Sequence, residues 1–120
     1  MTVLSEKRSA GAEVWTPVCR AEQVPRAAGV AVLLDDGVQV AVFRTVEGDV
    51  FGLSNVDPFS GAAVLSRGIV GDVGGVPVVA SPVYKQNFDL RTGQCLDDAG
   101  VRIEAYPLRV TDGIVHVGVR

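Results

Sequence analysis

The sequence predicts an all-β fold, a small antiparallel sandwich or barrel. Valine supplies 24 of the 120 residues, and β-branched side chains pack well on a pleated sheet but lose χ1 freedom in a helix. Three dipeptides typical of hairpin turns, Asp36-Gly37, Glu47-Gly48 and Asp112-Gly113, are each flanked by apolar or alternating segments. No window of a dozen residues carries a sustained helical period. Short strands separated by frequent turns are typical of such a fold.

The predicted strands are apolar, β-branched runs that end at turn residues. In chain order they are 14–19, 30–34, 38–45, 50–54, 76–80, 87–90, 101–110 and 114–119. The three dipeptides place hairpin turns after the second, third and seventh of these strands. In the last strand Val115, Val117 and Val119 share one face and His116 lies on the other. Two stretches, 21–28 and 61–66, have room for one or two turns of helix.

The organisation of the chain predicts one domain over residues 14–120, preceded by a flexible tail at 1–13. A domain of this length buries about two thirds of the surface that its unfolded chain exposes. The tail mixes charged and small residues and lacks the apolar run of a secretory signal. The densest apolar run, Ala27 to Leu34, covers eight residues, whereas a membrane helix needs about 20. We therefore expect a cytoplasmic protein with no membrane partner.

The charge pattern argues against nucleic acid as a partner. The net charge is −3, and the 11 basic residues are scattered singly along the chain. A protein that binds nucleic acid usually gathers such residues into a basic stripe.

No constellation of reactive residues forms an active site by itself. The two cysteines, Cys19 and Cys95, have no metal-type spacing, so we expect two free, buried thiols; a disulfide or a reactive nucleophile is the alternative. The single His116 has no acidic neighbour in sequence and predicts a structural or surface imidazole. The acidic doublets 35–36 and 97–98 adjoin turns, where Asp side chains bond their own backbone.

The glycines at 68, 71, 74 and 75 predict a hairpin or loop turn. A phosphate-binding loop opens a helix, whereas residues 76–79, which follow these glycines, have the pattern of a strand. We therefore expect no nucleotide there.

Two segments carry a more specific pattern, Asp-Pro-Phe-Ser-Gly-Ala at 57–62 and Ser-Pro-Val-Tyr-Lys-Gln-Asn-Phe-Asp-Leu-Arg-Thr-Gly at 81–93. The pair resembles the two loops of Rieske iron–sulfur domains, Cys-Pro-His-x-Gly-Ala and Cys-Pro-Trp-His-Gly-x-x-Phe-Asp-Leu-x-Thr-Gly, which close over a two-iron cluster. The resemblance implies a Rieske-like fold in which these loops form a vestigial cluster-binding subdomain.

The four ligand positions of that pattern are occupied by Asp57, Phe59, Ser81 and Tyr84. A Rieske centre needs two thiolates and two imidazoles, and the whole chain holds two Cys and one His. Oxygen donors are also poor ligands for a cluster that prefers thiolate. We therefore expect no metal, no cofactor and no catalytic residue in this chain. Phe59 and Tyr84 are expected to fill the space between the loop tips, unless the two rings never meet.

Further segments make the resemblance more specific than a Rieske-like domain. The most specific of them is Leu-Ser-Arg-Gly-Ile-Val-Gly-Asp at 65–72. Over about residues 15–119 the chain is similar to the small subunits of assimilatory NAD(P)H-dependent nitrite reductases. In that family the large subunit carries FAD, siroheme and an iron–sulfur cluster and reduces nitrite to ammonium. The resemblance implies an accessory, non-catalytic subunit of an oxidoreductase, which docks on the large subunit and stabilises it.

Loop tips on a rigid β scaffold often carry binding residues. The residues expected at the partner interface are Asp57, Phe59, Ser60, Arg67, Tyr84, Lys85 and Gln86. Arg67 and Lys85 have the alternative of being solvated loop charges. Two other functions remain open at this point: a ferredoxin that carries a cluster in electron transfer, and a stand-alone binding module on a Rieske-like scaffold.

Overall fold

The computed structural model of the protein describes residues 14–119. The tail predicted at 1–13 lies outside the described residues. Ten β-strands make up this part of the chain. Their bounds are β1 Val14–Arg20, β2 Ala28–Leu33, β3 Gln39–Arg44, β4 Val50–Ser54, β5 Ile69–Val73, β6 Val76–Ala80, β7 Asn87–Asp89, β8 Ala105–Tyr106, β9 Leu108–Thr111 and β10 Ile114–Val119.

The strands form three antiparallel sheets, which confirms the all-β prediction. Their orders are β1-β10-β9, β2-β3-β4-β8 and β5-β6-β7. The helical content of the described residues is two short 3-10 turns, Ala21–Gln23 and Leu65–Arg67. The first lies inside the predicted stretch 21–28, whereas the second begins near the end of 61–66. None of the described helical segments is long and apolar enough to cross a membrane.

The three predicted hairpin turns are all present. The N–H of Gly37 donates to the carbonyl of Leu34, and the N–H of Gly48 donates to that of Thr45. In the third hairpin Asp112 and Gly113 both have positive φ, 54° and 76°. That geometry matches the right-handed twist of the flanking strands.

Strand β5 is the element that the sequence did not predict. Four of its five residues are exposed, so it lacks the apolar alternation by which a half-buried strand is found. It pairs with β6 through a turn at Gly74 and Gly75, with φ of 58° and 91°. The glycine-rich segment is therefore a hairpin, as predicted, and its first arm is a strand.

The single strand predicted at 101–110 is wrong. Residues 101–104 lie outside the strands, and Pro107 separates β8 from β9. β8 pairs with β4, whereas β9 pairs with β10. Proline lacks an N–H for the ladder, and the chain passes from one sheet to another at this residue.

Strand β3 is buried on both faces and joins two hydrophobic cores. Its Val40 and Val42 belong to the core that also holds Val115 and Val117 of β10. The predicted apolar face of the last strand is therefore confirmed for these two residues, and Val119 packs against the same core.

The second core lies between the β2-β3-β4-β8 sheet and the β5-β6-β7 sheet. It contains Phe43 from β3, Leu53 from β4, Val79 from β6 and Phe88 from β7, all fully buried. Burial of each of these large side chains contributes about 1.5–3 kcal/mol. This core fixes the β5-β6-β7 unit, and with it the loops at 57–62 and 81–93, on the rest of the molecule.

Candidate functional site

The candidate site is formed by two loops that share one backbone geometry. In the first loop, residues 57–62, the N–H of Asp57 donates to the carbonyl of Ala62 at 2.9 Å, and the carbonyl of Asp57 accepts the N–H of Gly61 at 2.7 Å. In the second loop, residues 81–86, Ser81 makes the same two bonds with Gln86 and Lys85, at 2.9 and 3.0 Å. Each loop is thus closed at its base, and the residues between its first and last positions form the tip.

The first residue of each loop also fixes the tip with its side chain. Oδ1 of Asp57 accepts the N–H of Phe59 at 2.8 Å, and Oγ of Ser81 accepts the N–H of Val83 at 3.2 Å. Short Asp and Ser side chains are suited to bonding the backbone two residues further on. These contacts explain why the loops keep their shape with Asp and Ser at positions where the Rieske pattern has cysteine.

A buried hydrogen bond joins the two loops. Oγ of Ser81 donates to Oδ2 of Asp57, and both residues are fully buried. The two side chains occupy the two cysteine positions of the Rieske pattern. Buried polar groups need hydrogen-bond partners. Asp57 and Ser81 each supply the partner that the other needs.

The two aromatic residues behave differently. Phe59 is half-buried and packs against the second core, with its ring centroid 6.3 Å from that of Phe88 and the planes at 48°. The expectation that Tyr84 shares this space is wrong, because its side chain is 58% exposed. Tyr84 lies at the tip of the second loop, where most of its surface is accessible to solvent.

The residues expected at a partner interface are placed as follows. Ser60, Arg67, Tyr84 and Lys85 are exposed, and Phe59 and Gln86 are half-buried. Asp57 is fully buried, so its side chain positions the loop from within and offers no surface to a partner.

A third loop with the same geometry was missed in the sequence. The N–H of Asp89 donates to the carbonyl of Gln94, and the carbonyl of Asp89 accepts the N–H of Gly93, both at 2.8 Å. Oδ1 of Asp89 accepts the N–H of Arg91 at 2.8 Å. The Arg91 guanidinium also donates to both carboxylate oxygens, at 3.1 and 3.0 Å, and lowers the pKa of Asp89. A signal for it was available in the sequence, since Asp89 and Gly93 have the same spacing as Asp57 and Gly61 in the first loop.

The remaining reactive side chains have structural environments. Both cysteines are free, Cys95 within the second core and Cys19 half-buried in β1. Burial raises the pKa of the Cys19 thiol, which disfavours the nucleophilic thiolate. Nδ1 of His116 lies 3.1 Å from the carbonyl oxygen of Ile114.

Side chains of the acidic doublets 35–36 and 97–98 accept hydrogen bonds from the backbone of turns and loops. Oδ1 of Asp36 accepts the N–H of Val38 at 3.0 Å, and Oδ1 of Asp98 accepts the N–H of Gly100 at 3.0 Å. The interpretation of the doublets as turn formers is confirmed for Asp36 and Asp98. Asp97 reaches further, to the N–H of Asn87 at the base of the second loop.

The ligand positions do not fit a Rieske cluster. Asp57 and Ser81 are bonded to each other, the Phe59 side chain has no donor atom, and Tyr84 is directed outward. Between residues 14 and 119, no three His, Cys, Asp or Glu side chains are grouped so that they could hold a metal ion. Hard oxygen atoms are also unsuited to iron that prefers thiolate.

Comparisons with known proteins agree with the loop pattern. Residues 14–118 match the Rieske-like [2Fe-2S] domain family. The NADH nitrite reductase small subunit of Escherichia coli strain K12 is 41% identical over 104 residues, which are 86% of this chain and 95% of that protein. The crystal structure of an NADH-dependent nitrite reductase small subunit from Mycobacterium tuberculosis superposes with a TM-score of 0.87 at 53% identity, covering 91% of this chain and 97% of that one.

A third relative has a different organisation. The nitrite reductase [NAD(P)H] large subunit of Klebsiella oxytoca is 43% identical over 104 residues, which are 87% of this chain but 11% of that protein. A segment equivalent to this chain is thus part of the large-subunit polypeptide in that organism. By fold, loop pattern and these similarities, the chain belongs to the Rieske-like domain family and, within it, to the small subunits of NAD(P)H-dependent nitrite reductases.

Proposed function

We propose that this chain acts in the cytoplasm as a non-catalytic docking and stabilising subunit of an NAD(P)H-dependent nitrite reductase, the oxidoreductase that reduces nitrite to ammonium in nitrate assimilation. The observation that carries the proposal is the buried hydrogen bond between Asp57 and Ser81. It joins the two positions at which the Rieske pattern has its cysteine ligands, so this chain keeps the scaffold without the ligands of the redox centre.

The chemistry of the residues indicates which subunit carries the redox cofactors. Reduction of nitrite requires redox cofactors, and the side chains at the Rieske ligand positions do not suit one. The FAD, siroheme and iron–sulfur cluster of the enzyme are therefore assigned to the large subunit. The role of this chain is then to bind that subunit and to stabilise its active form.

The Klebsiella oxytoca relative supports the large subunit as the partner. There the equivalent segment is covalently part of the large-subunit chain. A linker gives two domains a high effective concentration, and a separate chain lacks that advantage. A separate small subunit must therefore present a surface with enough affinity to stay bound, and the exposed tips of the two loops are the surface we assign to it.

Co-expression with the large subunit from the same organism tests this proposal. We expect the two chains to copurify, and the nitrite-dependent oxidation of NAD(P)H to fall or to become unstable when this chain is omitted. A large subunit that purifies alone with unchanged and equally stable activity would contradict the proposal.

A further inference from the structure

The tip of the second loop holds a lysine in a conformation that favours glycine. Lys85 has φ of 67°, and the equivalent positions of the first and third loops are Gly61 and Gly93, with φ of 75° and 82°. A side chain is strained in this region, and glycine is not. Strained backbone of this kind is often found at binding sites. The three loops thus differ at this position, where only the second keeps a charged side chain despite the strain; Nζ of Lys85 donates to the carbonyl of Pro82 in the same loop at 3.3 Å.

Lys85 adjoins an exposed apolar group. Tyr84 is 58% exposed and Val83 is 44% exposed. The hydrogen bond between Asp57 and Ser81 joins the bases of the two loops. We define the loop-tip surface as six residues that lie within the closed ends of the two loops: Pro58, Phe59, Ser60, Val83, Tyr84 and Lys85. An exposed aromatic ring beside an exposed aliphatic side chain is a common feature of binding surfaces.

The loop tips carry one exposed charge, the positive charge of Lys85, although the chain is acidic overall. The net charge of the chain is −3. In residues 57–62 and 81–86 the only carboxylate is that of Asp57, which is fully buried, and the only exposed charge is Lys85. Arg67 adds a second positive charge near the second loop, since the adjacent Gly68 packs against the carbonyl of Ala80. Asp97 meets the base of this loop, where it bonds the backbone of Asn87.

We propose that the loop-tip surface docks into an apolar pocket of the nitrite reductase large subunit, with Tyr84 inserted in the pocket and Lys85 paired with a carboxylate at its rim. This assignment rests on the proposed function and adds the chemistry of the contact. An exposed aromatic ring supplies most affinity when it is buried at the centre of an interface. A charge at the edge supplies orientation and a faster association rate.

The test is a binding titration of the full-length chain with its large subunit at low and high ionic strength. Tyr84→Ala should raise Kd about 10-fold or more. Lys85→Glu should raise Kd about 10-fold at low salt, with a smaller effect at high salt because the ionic attraction is screened. Lys85→Gly should raise Tm, since strain is relieved, and yet raise Kd.

Asp112→Gly is the matched control for Lys85→Gly. Asp112 also has positive φ, 54°, but lies in the turn between β9 and β10. This variant should gain stability in the same way and leave Kd unchanged. A structural role for Lys85 would predict the same behaviour of both variants.

The possible outcomes separate the two proposals. If the wild-type chain binds the large subunit and the variants at Tyr84 and Lys85 bind within twofold of it, the loop-tip assignment is overturned and the proposed function stands. If the wild-type chain does not bind, both are overturned. If Tyr84→Ala dissociates a homodimer and leaves large-subunit binding intact, the surface is a contact between copies of this chain and the assignment is also overturned.

Discussion

The hydrogen bond between Asp57 and Ser81 predicts a large effect of a small substitution. Ser81→Ala removes one oxygen atom from a fully buried residue. It leaves Oδ2 of Asp57 without its donor and the N–H of Val83 without its acceptor. Oδ1 of Asp57 keeps the N–H of Phe59.

The magnitude follows from these contacts. A hydrogen bond contributes about 0.5–1.5 kcal/mol net, and a buried polar atom left without a partner costs about 1–3 kcal/mol. With the lost bond to the Val83 N–H and the orphaned Oδ2 of Asp57, Ser81→Ala should lower the free energy of unfolding by about 1.5–4.5 kcal/mol. Ser60→Ala is the matched control, because its Oγ accepts the N–H of Ala62 at 3.2 Å in the same type of local bond but on an exposed residue. Its effect should stay within about 0.5 kcal/mol.

The assay is equilibrium unfolding in urea, monitored by circular dichroism, with a double-mutant cycle. Asp57→Ala alone should also destabilise the protein. The double variant should lose at least about 1 kcal/mol less than the sum of the single losses, because removal of the second partner leaves no orphaned side chain of the pair. Equal, small effects of Ser81→Ala and Ser60→Ala, or simple additivity in the cycle, would refute the structural role of this bond.

Three further predictions concern the loops. Phe59→Ala should lower the free energy of unfolding in urea by about 1.5–3 kcal/mol. This is less than for a fully buried phenylalanine, because the ring is half-buried. A loss well under 1 kcal/mol would show that the ring does not support the core. Gly93→Ala should lower the free energy of unfolding by about 2 kcal/mol more than Gly61→Ala. Both residues have positive φ, but only at Gly93 would a Cβ clash with a main-chain carbonyl. Equal shifts of Tm in the two variants would contradict the packing of the third loop. Arg91→Gln should reduce stability near pH 7, because the guanidinium lowers the pKa of Asp89. A folded-state pKa below the unfolded value stabilises the protein above the unfolded pKa, and this contribution is lost as the pH falls through the folded pKa, so unfolding curves of wild type and variant should converge in acid.

Local features of the fold were predictable from the sequence. Dipeptides such as Asp112-Gly113 specify their turns through backbone conformation, and the alternation at Val115 and Val117 specifies a buried face. These signals lie within a few residues of each other. Strand β5 gave no such signal, because most of its side chains are exposed and its pairing with β6 alone defines it.

Contacts between distant residues were less accessible. The Rieske-like pattern showed that Asp57 and Ser81 replace ligands, but their hydrogen bond spans 24 positions and depends on how the two loops meet. The direction of Tyr84 depends on the same packing. Its position in the pattern suggested a ring between the loops, whereas the ring is directed outward. Conserving the backbone of a loop does not conserve the direction of each side chain.

The strained Lys85 illustrates what the structure adds. The sequence marked it as a candidate interface residue or a solvated charge. Its positive φ, matched by glycines in the two related loops, gives a physical reason to separate these alternatives. The two glycine variants test that reason, because Lys85→Gly should raise Kd whereas Asp112→Gly should leave Kd unchanged.

The central claim is that a hydrogen-bonded pair of side chains holds the two loops together in place of an iron–sulfur cluster. Iron and acid-labile sulfide, measured together with the visible absorption of the anaerobically purified chain, test it most directly. We predict a colourless protein with neither element in stoichiometric amount. A brown protein with two irons and two sulfides per chain would contradict the claim.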